Sequence, residues 1–480
     1  MSTKQIVVGE GRRRMTARGR ATIALGLALL AAAALALVRG AVGEPSDRVA
    51  LAAADAHHEV SAAPASTEPA SPAPVAAAAP PPPLAPLDLV SHPPVDRTAV
   101  TRTDPLTGRI VLEADPPVDR PDLPGPLRVE TTLDGELTEA IWRVLERGRI
   151  ALGHVVVMDP RSGAVLAYVS TDLERFPPTR TYPAASLIKV VTTAAALDAE
   201  PSVVRESCRY VGNQYRLSRQ QVDPPRHGNV VSLRKALAMS NNQCFAQLAV
   251  HRIGSPALLD AIDRFGFLHP PALGHAAGVV EDPGQDAYAL GMLGSGLNGT
   301  RITPLHAAQL VATLADGVRR TPRWVSGVLD VGGRPLVLPD EPEPQRVMTP
   351  SLARQLRDMM VDTTERGTAR RAFRLRNGRP LLQGIEVAGK TGSLSGTDPD
   401  GRYEWFAGIA PADDPVLAVA VVSVHGPLFW MKASQAAAEV LKTAFCPEGS
   451  CRVDAAQRWL PPTPAVAAGT SSAAGTAGGS

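Results

Sequence analysis

A stretch dominated by alanine and proline, from Ala52 to Leu89, divides this 480-residue chain. Such a segment cannot bury enough apolar surface to form a core, and its prolines, including Pro80 to Pro83, stiffen it toward an extended polyproline helix. At about 3.1 Å per residue it would reach on the order of 100 Å when extended. We therefore predict a tether within residues 40–128, unassigned from Val90 to Arg128, and a folded domain after it.

The chain before the tether has the pattern of a membrane anchor. Residues 1–20 hold six basic side chains and one acidic one, and an uncharged run from Ala21 to Val38 follows. Eighteen helical residues span roughly 27 Å, about the thickness of a bilayer core. The positive-inside rule places the basic tip in the cytoplasm, so the chain after Arg39 is predicted to be exported. We predict an uncleaved membrane helix at 21–39, with a cleaved signal peptide as the alternative.

Charge and cysteine content narrow the class of protein. The basic tip contributes +5 to the formal net charge of +2, which leaves −3 for the rest and gives no electrostatic support for binding nucleic acid. Cys446 and Cys451 enclose a short loop, and Cys208 and Cys244 remain as a second candidate pair, although four cysteines allow three connectivities. Disulfides fit an exported domain, and buried free thiols are the alternative. The cysteine spacings do not indicate a metal site.

The folded domain is predicted to run from Val129 to residue 447, with a disordered tail at 448–480. Hydrophobic periodicity and turn residues give its elements. They are a helix at Asp134–Arg147, strands at His154–Met158, Val165–Val169, Trp405–Ala410 and Val416–Val424, and a closing helix at Lys432–Phe445. This order, with a long helical middle, indicates an α+β fold in which terminal helices cover an antiparallel sheet and an all-helical subdomain is inserted.

Lysine is rare in this sequence, with six lysines against 43 arginines. An amine can lose its proton whereas a guanidinium essentially cannot, so the retained lysines are candidates for proton transfer. Ser186 and Lys189 begin a helix-like run after Pro183, and their spacing places the hydroxyl and the amine on the same face of the first turn. Lysine activates a serine only if burial or a nearby cation lowers its pKa, and Lys390 is the candidate cation.

Two further motifs accompany this pair. They are Ser240-Asn241-Asn242 and Lys390-Thr391-Gly392-Ser393, the second after the strand-like Ile385–Ala388. Taken singly, each has an ordinary structural explanation as a helix-end hydroxyl, a capping asparagine or a solvated lysine. A second S-x-x-K sequence, Ser232 to Lys235, is predicted to be a helix start that Ser232 caps.

Together and in this order, the motifs resemble those of penicillin-binding protein transpeptidase domains, which share them with serine β-lactamases. The resemblance covers roughly Val129 to Phe445 and implies the fold of that family. It includes these further landmarks: Thr132-Leu133-Asp134, Met158 to Gly163, Ile302 to Leu305, Gly367-Thr368-Ala369 and Trp405 to Gly408. Two features depart from the family pattern. A tether stands where a folded pedestal or a glycosyltransferase is usual, and Ala184-Ala185 stands where Pro-Gly is frequent.

The resemblance implies a role for each catalytic residue. Ser186 would attack the carbonyl of the penultimate D-Ala in a peptidoglycan stem peptide and form an acyl-enzyme, and Lys189 would be its base. Ser240 would relay a proton to the leaving D-Ala. Asn242 would hydrogen-bond the peptide group of the substrate.

The resemblance also implies how the substrate is held. Lys390 and Thr391 would bind its terminal carboxylate. Gly392, which has no side chain, would let the substrate backbone lie along the strand. The backbone amides of Ser186 and Ser393 would form the oxyanion hole. No cofactor is implied.

Three functions remain open at this point: a D,D-transpeptidase or D,D-carboxypeptidase, a β-lactamase, and a non-catalytic membrane-tethered β-lactam sensor or scaffold. Asn242 favours the first, because oxacillinase-type β-lactamases have an apolar residue there. The sequence shows no clear base for a hydrolytic water, whereas a sensor would keep Ser186 and Lys189. The implied partners are stem peptides, β-lactams, the cell membrane and other wall-synthesis proteins, and the implied location is the periplasmic side of the bacterial inner membrane.

Overall fold

The computed structural model describes Leu84, residues 92–426 and residues 429–461. Within these residues, no helix has both the length and the apolar character needed to cross a bilayer. The predicted basic tip, the predicted membrane helix at 21–39 and most of the predicted tether lie outside the described residues.

The bounds of the described elements follow. The strands are β1 (Arg109–Ala114), β2 (Leu127–Asp134), β3 (Gly153–Met158), β4 (Val165–Ser170), β5 (Tyr182–Pro183), β6 (Ser207–Tyr210), β7 (Asn229–Ser232), β8 (Val279–Val280), β9 (Thr300–Ile302), β10 (Val318–Arg319), β11 (Val325–Leu329), β12 (Gln345–Arg346), β13 (Ala388–Thr397), β14 (Asp400–Ala410) and β15 (Leu417–His425). The α-helices are α1 (Gly135–Arg147), α2 (Ile188–Ala199), α3 (Leu233–Ala238), α4 (Asn242–Leu248), α5 (Ser255–Arg264), α6 (Ala287–Ser295), α7 (Pro304–Ala312), α8 (Pro350–Glu365), α9 (Ala433–Phe445) and α10 (Val453–Gln457). Short 3-10 helices span Arg97–Arg102, Ala185–Leu187, Pro201–Arg205 and Arg219–Val222, and a π-helix spans Ala249–Ile253.

A five-stranded antiparallel sheet in the order β13-β14-β15-β3-β4 forms the centre of the domain. Every residue of β15 is buried, which explains its nearly continuous apolar sequence. Helices α1 and α9 cover one face of the sheet, and α7 packs on the other. The fold is therefore α+β, with terminal helices over an antiparallel sheet as predicted.

Helix α1 shows how the local sequence produces these elements. The carboxylate of Asp134 caps it by accepting a hydrogen bond from the amide of Leu137 at 2.9 Å. Its apolar side chains recur at helical spacing, and Ile141 and Val144 are fully buried against the sheet and α9. The predicted helix, both predicted hairpin strands and the closing helix are confirmed to within one or two residues.

The helical middle differs from the prediction in one respect. It is not all-helical, because a two-stranded sheet (β6-β7) and a three-stranded sheet (β5-β9-β8) lie among its helices. Both candidate cysteine pairs form disulfides, Cys208 with Cys244 and Cys446 with Cys451. The first joins β6 to α4, the helix that begins at Asn242.

The ordered structure extends beyond both predicted ends of the domain. Strand β1, from the unassigned segment, pairs with β2, and β2 also pairs with β11 from beyond the helical middle. At the other end, α10 follows residue 447, and the side chain of Trp459 is 2% exposed. The guanidinium of Arg109 donates to the carbonyls of Trp459 and Leu460, both at 2.9 Å. These contacts are long-range, so the local composition did not indicate them.

Candidate active site

The turn that carries Ser186 is fixed from both sides. Trp405 donates its indole N–H to the carbonyl of Pro183 at 2.8 Å, and the amide of Ala184 donates to the carbonyl of Thr300 at 3.0 Å. Ala185 has a φ of +49°, a conformation that L-residues rarely adopt, and the 3-10 turn Ala185–Leu187 leads into α2. An uncommon backbone conformation at this point is a frequent property of functional turns.

Gly296 lies against the same turn. Its φ is +71°, and a Cβ built on it would stand 2.1 Å from the carbonyl oxygen of Ala185. That oxygen belongs to the backbone and has no flexible side chain to move. Glycine at 296 therefore allows the end of α6 to approach the peptide group immediately before Ser186.

Lys189 is fully buried and contacts the nucleophile directly. Its Nζ lies 2.8 Å from Ser186 Oγ, 2.7 Å from Asn242 Oδ1 and 2.6 Å from the carbonyl oxygen of Ser295. A neutral amine has two N–H donors and one lone pair. Because Asn242 and Ser295 offer acceptors for both donors, the lone pair is left for the hydroxyl proton of Ser186.

The electrostatic environment favours that neutral form. Burial holds the pKa of Lys189 well below the usual range of a lysine amine, and the charge of Lys390 lowers it further. Lys390 therefore acts as the predicted cation, although its effect on the pKa is smaller than that of burial.

The second motif lies in the turn between α3 and α4. Ser240 has a φ of +56°, and Asn241 caps α4 by accepting from the amide of Cys244 at 3.1 Å. Asn241, not Asn242, is thus the capping residue. The side chain of Asn242 accepts from Lys189 and donates to the carbonyl of Tyr215 at 2.7 Å, which leaves one amide N–H for another acceptor.

Lys390 is also fully buried and forms a second polar group beside the cleft. Its Nζ donates to Ser240 Oγ at 2.9 Å and to the carbonyl of Thr391 at 2.8 Å. Burial lowers the pKa of Lys390 to about 7. The explanation of Lys390 as a solvated charge is therefore wrong, and an amine with this pKa exchanges protons readily near neutral pH.

The position predicted for this third motif needs a correction. We expected it to follow a strand at Ile385–Ala388, but β13 begins at Ala388 and runs through the motif to Thr397. Because β13 is the edge strand of the described sheet, its free side is available for an extended peptide. Thr391 and Ser393 also have polar partners: Thr391 Oγ1 lies 2.6 Å from Thr368 Oγ1, and Arg402 donates to Ser393 Oγ at 2.7 Å.

Gly392 has a structural role beside the predicted one of leaving room for the substrate backbone. A Cβ on this residue would lie 3.3 Å from Cβ of Ala185, 3.3 Å from Cβ of Trp405 and 3.4 Å from the carbonyl oxygen of Ala184. The space beside Gly392 is thus filled by the turn that carries the nucleophile. Its small size brings β13 close to that turn.

A cavity of about 500 Å³ opens over these groups. Of the predicted site residues, Lys189 and Lys390 lie behind its wall. The others line it: Ser186, Ser240, Asn242, Thr391, Gly392 and Ser393. The structure therefore brings all three motifs to one cleft, although they are separated by up to about 200 residues of sequence.

The sequence profile of the penicillin-binding protein transpeptidase domain matches residues 153–445. This chain belongs to the penicillin-binding protein transpeptidase family. The chain is 30% identical over 340 residues to the peptidoglycan D,D-transpeptidase PbpA of Mycolicibacterium smegmatis, a match that covers 62% of this chain and 67% of that protein. The PbpA of Mycobacterium tuberculosis is 29% identical over 341 residues, with the same coverage.

Solved penicillin-binding proteins share the fold. The crystal structure of PBPA from Mycobacterium tuberculosis matches with a TM-score of 0.56 and 27% identity, covering 66% of this chain and 82% of that one. Its imipenem acyl-enzyme complex matches with a TM-score of 0.56 and 26% identity, covering 66% of this chain and 79% of that one.

The cleft of this family member also contains residues that were not among the predicted site residues. They are Tyr215, Gly296, Leu297, Thr368, Arg402, Glu404, Trp405, Lys432 and Ser434. Thr368 and Trp405 belong to family landmarks. Glu404 pairs with Ser393 in the β13-β14 register, so a correctly placed hairpin would have indicated it.

Glu404 is the only carboxylate among the described residues that line the cleft. Burial raises its pKa, but a hydrogen bond from His425 and the charges of Lys432 and Arg402 outweigh burial, so the net pKa lies below the usual range. Its oxygens lie 3.5 Å from His425 Nε2 and 3.7 Å from Lys432 Nζ. Such a carboxylate stays ionised and is a weak base.

No cluster of His, Cys, Asp or Glu side chains suited to a metal ion occurs in the part of the chain that the structure describes. The second S-x-x-K sequence is a helix start, as predicted: the exposed Ser232 caps α3 by accepting from the amide of Lys235 at 3.3 Å. Met239, expected on that helix, is its C-cap residue.

Proposed function

We propose that this chain is a peptidoglycan D,D-transpeptidase or D,D-carboxypeptidase that acts on D-Ala-D-Ala stem peptides through an acyl-enzyme on Ser186. The observation that carries the proposal is the contact of 2.8 Å between Ser186 Oγ and the fully buried amine of Lys189. Membership of the transpeptidase family and similarity to proteins named peptidoglycan D,D-transpeptidases support the substrate class.

Acylation begins with proton transfer within this pair. The Ser186 hydroxyl donates to the lone pair of neutral Lys189, and its oxygen attacks the carbonyl of the penultimate D-Ala. The backbone amides of Ser186 and Ser393 would stabilise the oxyanion, a contribution of about 3 to 4 kcal/mol per donor. The C–N bond to the terminal D-Ala then breaks, leaving an ester on Ser186.

The leaving amine needs a proton, and the second polar pair supplies a route. Ser240 Oγ lines the cleft and accepts from Lys390 Nζ at 2.9 Å. Ser240 would pass its proton to the departing D-Ala and recover one from Lys390, whose pKa of about 7 suits this exchange. Thr391 would hold the terminal carboxylate, with the charge of the buried Lys390 behind it, and the remaining amide N–H of Asn242 would bind the substrate's peptide group.

The ester on Ser186 is resolved by an amine in transpeptidation or by water in carboxypeptidation. Rapid hydrolysis requires a base that activates water. Glu404, the one described carboxylate in the cleft, is held ionised by its cationic neighbours and is a weak base for this purpose. This argues for a long-lived β-lactam adduct and against a β-lactamase.

Exposure to fluorescent penicillin tests the proposal. We expect stable covalent labelling of the full chain, reduced by on the order of a thousandfold or more in Ser186→Ala and unchanged in Ser232→Ala. Rapid release of the label would indicate a β-lactamase. Labelling that persists in Ser186→Ala would disprove the assignment of the nucleophile.

Incubation with a pentapeptide stem separates an enzyme from a sensor. The proposal requires free D-Ala to be released by the wild type and not by Ser186→Ala. A protein that is acylated by penicillin but releases no D-Ala would be a sensor or scaffold.

We also propose that the domain works outside the bacterial inner membrane on a single N-terminal helix. The apolar run at 21–38 after a basic tip and the two disulfides support this location. Fractionation of expressing cells should find the full chain in the membrane, with the domain accessible to protease added to spheroplasts. Recovery of the intact chain in the soluble fraction would contradict the anchor.

A further inference from the structure

A second cavity of about 500 Å³ lies away from the catalytic cleft. None of the described residues that line it also lines the cleft. Its walls come from the turn between β3 and β4, from β11 and from the loop before β12. They include Leu273, Trp324, Val325, Leu338 and several prolines, together with charged residues, three arginines among them. Grooves lined by aromatic and proline side chains suit extended proline-rich segments.

Leu84 forms part of the wall of this groove. It is 2% exposed, it lines the cavity, and its amide donates to the carbonyl of Val337 at 2.9 Å. Leu84 is therefore held both by apolar contact and by a backbone hydrogen bond to the domain.

The sequence around Leu84 has the composition that such a groove takes. Pro80 to Pro83 precede it and Pro86 follows it, so the segment favours the polyproline conformation before it binds. Because a preordered segment loses little conformational entropy on docking, the burial of one leucine offsets a large part of the free-energy cost of binding.

The chain is held again shortly after this segment. Pro93 and Val95 are buried, and the amide of Ser170 on β4 donates to the carbonyl of Val95 at 2.9 Å. Only residues 85–92 separate Leu84 from this second attachment. The short connection favours the chain's own segment over that of a second copy.

We propose that this groove is a docking site for the chain's own proline-rich segment, residues 80–87, with Leu84 as its anchor. The tether then first meets the domain at Leu84, well before Val129, the start of the predicted domain. Docking reduces the largest distance from the membrane at which the catalytic cleft can work. It also fixes the point at which the tether leaves the domain.

Hydrogen exchange measures this docking cleanly, because proline has no amide hydrogen. A fragment covering residues 80–86 carries amides only at Leu84 and Ala85. In the full chain we expect one strongly protected amide in this fragment. Leu84→Asp should lower that protection by on the order of tenfold or more, since it exchanges a buried apolar side chain for a charged one. Leu51→Asp, the same change in the remote tether, is the matched control and should leave protection unchanged.

A rescue variant tests the groove itself. Leu338→Lys combined with Leu84→Asp offers the buried carboxylate a partner and should restore part of the protection, whereas Leu338→Lys alone should weaken it. Fluorescent penicillin labelling should stay at the wild-type level in every variant, so a failure of the docking proposal is distinguishable from a failure of the catalytic one.

Two results would overturn the proposal. Wild-type amides in the 80–86 fragment that exchange at the rate of a free peptide would show that the segment is not docked. Protection that falls on dilution of the protein would show that the groove binds a second copy instead.

Discussion

The two S-x-x-K sequences of this chain have the same spacing and lie at the starts of two helices, yet they have different environments. Lys189 is fully buried with its Nζ 2.8 Å from Ser186 Oγ. Lys235 is exposed, and its backbone amide, not its side chain, contacts Ser232. The S-x-x-K spacing therefore brings a hydroxyl and an amine within reach of each other, but it does not by itself activate the serine.

Proton transfer from serine to lysine also requires the environment that the first pair has. Burial and the charge of Lys390 hold the pKa of Lys189 well below its usual range. Asn242 and Ser295 supply acceptors for its two N–H groups. The exposed serine of the second pair caps a helix, which is the commonest use of a serine at such a position.

Exchange of the two lysines for arginine should give the largest contrast. Lys189→Arg keeps the charge but removes the amine that can lose a proton, so penicillin acylation should slow by about 10²- to 10⁴-fold. Lys235→Arg should leave the rate unchanged. Stopped-time labelling with fluorescent penicillin gives both rates, and circular dichroism confirms that each variant is folded. Near-normal acylation by Lys189→Arg would rule out the base role.

The pH dependence of acylation sharpens the electrostatic part of the comparison. The active form needs neutral Lys189, so the rate should fall as the pH drops through the pKa of that amine. Lys390→Met removes the nearby cation, which raises the pKa of Lys189 and moves this acidic limb to higher pH. Because the pKa of Lys390 is about 7, the difference from wild type should be largest below pH 7.

Lys432→Met is the control for that profile, since Lys432 also lines the cleft but is half-exposed. We expect its acidic limb to stay at the wild-type position. A Lys390→Met profile that loses height at every pH without moving its limb would mean that Lys390 only binds substrate.

The smallest expected effect is on stability, and for stability Ser232 matters more than Ser186. Ser232→Ala removes a helix cap and should lower the free energy of unfolding by about 1 kcal/mol without altering acylation. Ser186 makes no capping hydrogen bond, so Ser186→Ala should abolish acylation at little cost in stability. Urea denaturation of both variants measures this. Equal losses of unfolding free energy in the two variants would show that Ser186 has a structural role as large as that of Ser232.

The sequence predicted those parts of the fold that depend on local pattern. The amphipathic helix ending at Arg147 and the hairpin around Gly163 have strong periodicity and turn residues, and both were placed to within one or two residues. Strand β13 was placed wrongly because Gly389, Gly392 and Gly396 lower its strand propensity. The pairing of β2 with β11 joins distant segments, which no local pattern indicates.

The same distinction between local pattern and long-range contacts applies to the site. Its motif residues were predicted because side-chain chemistry is visible in a sequence. The carbonyl of Ser295 that orients Lys189 was not, since every residue has a carbonyl and only the fold selects one. Glu404 reaches the cleft through the register of β14, which depends on where the preceding turn lies.

Gly296 has a consequence for the evolution of drug resistance. Any other amino acid there adds a Cβ that would stand 2.1 Å from the carbonyl oxygen of Ala185, so it would displace the turn that carries the proposed nucleophile. Because the proposed function places both reactions on Ser186, a substitution here that hinders the drug is expected to hinder the substrate as well. Substitutions that discriminate between the two are expected instead at the exposed rim of the cleft, which includes Tyr215.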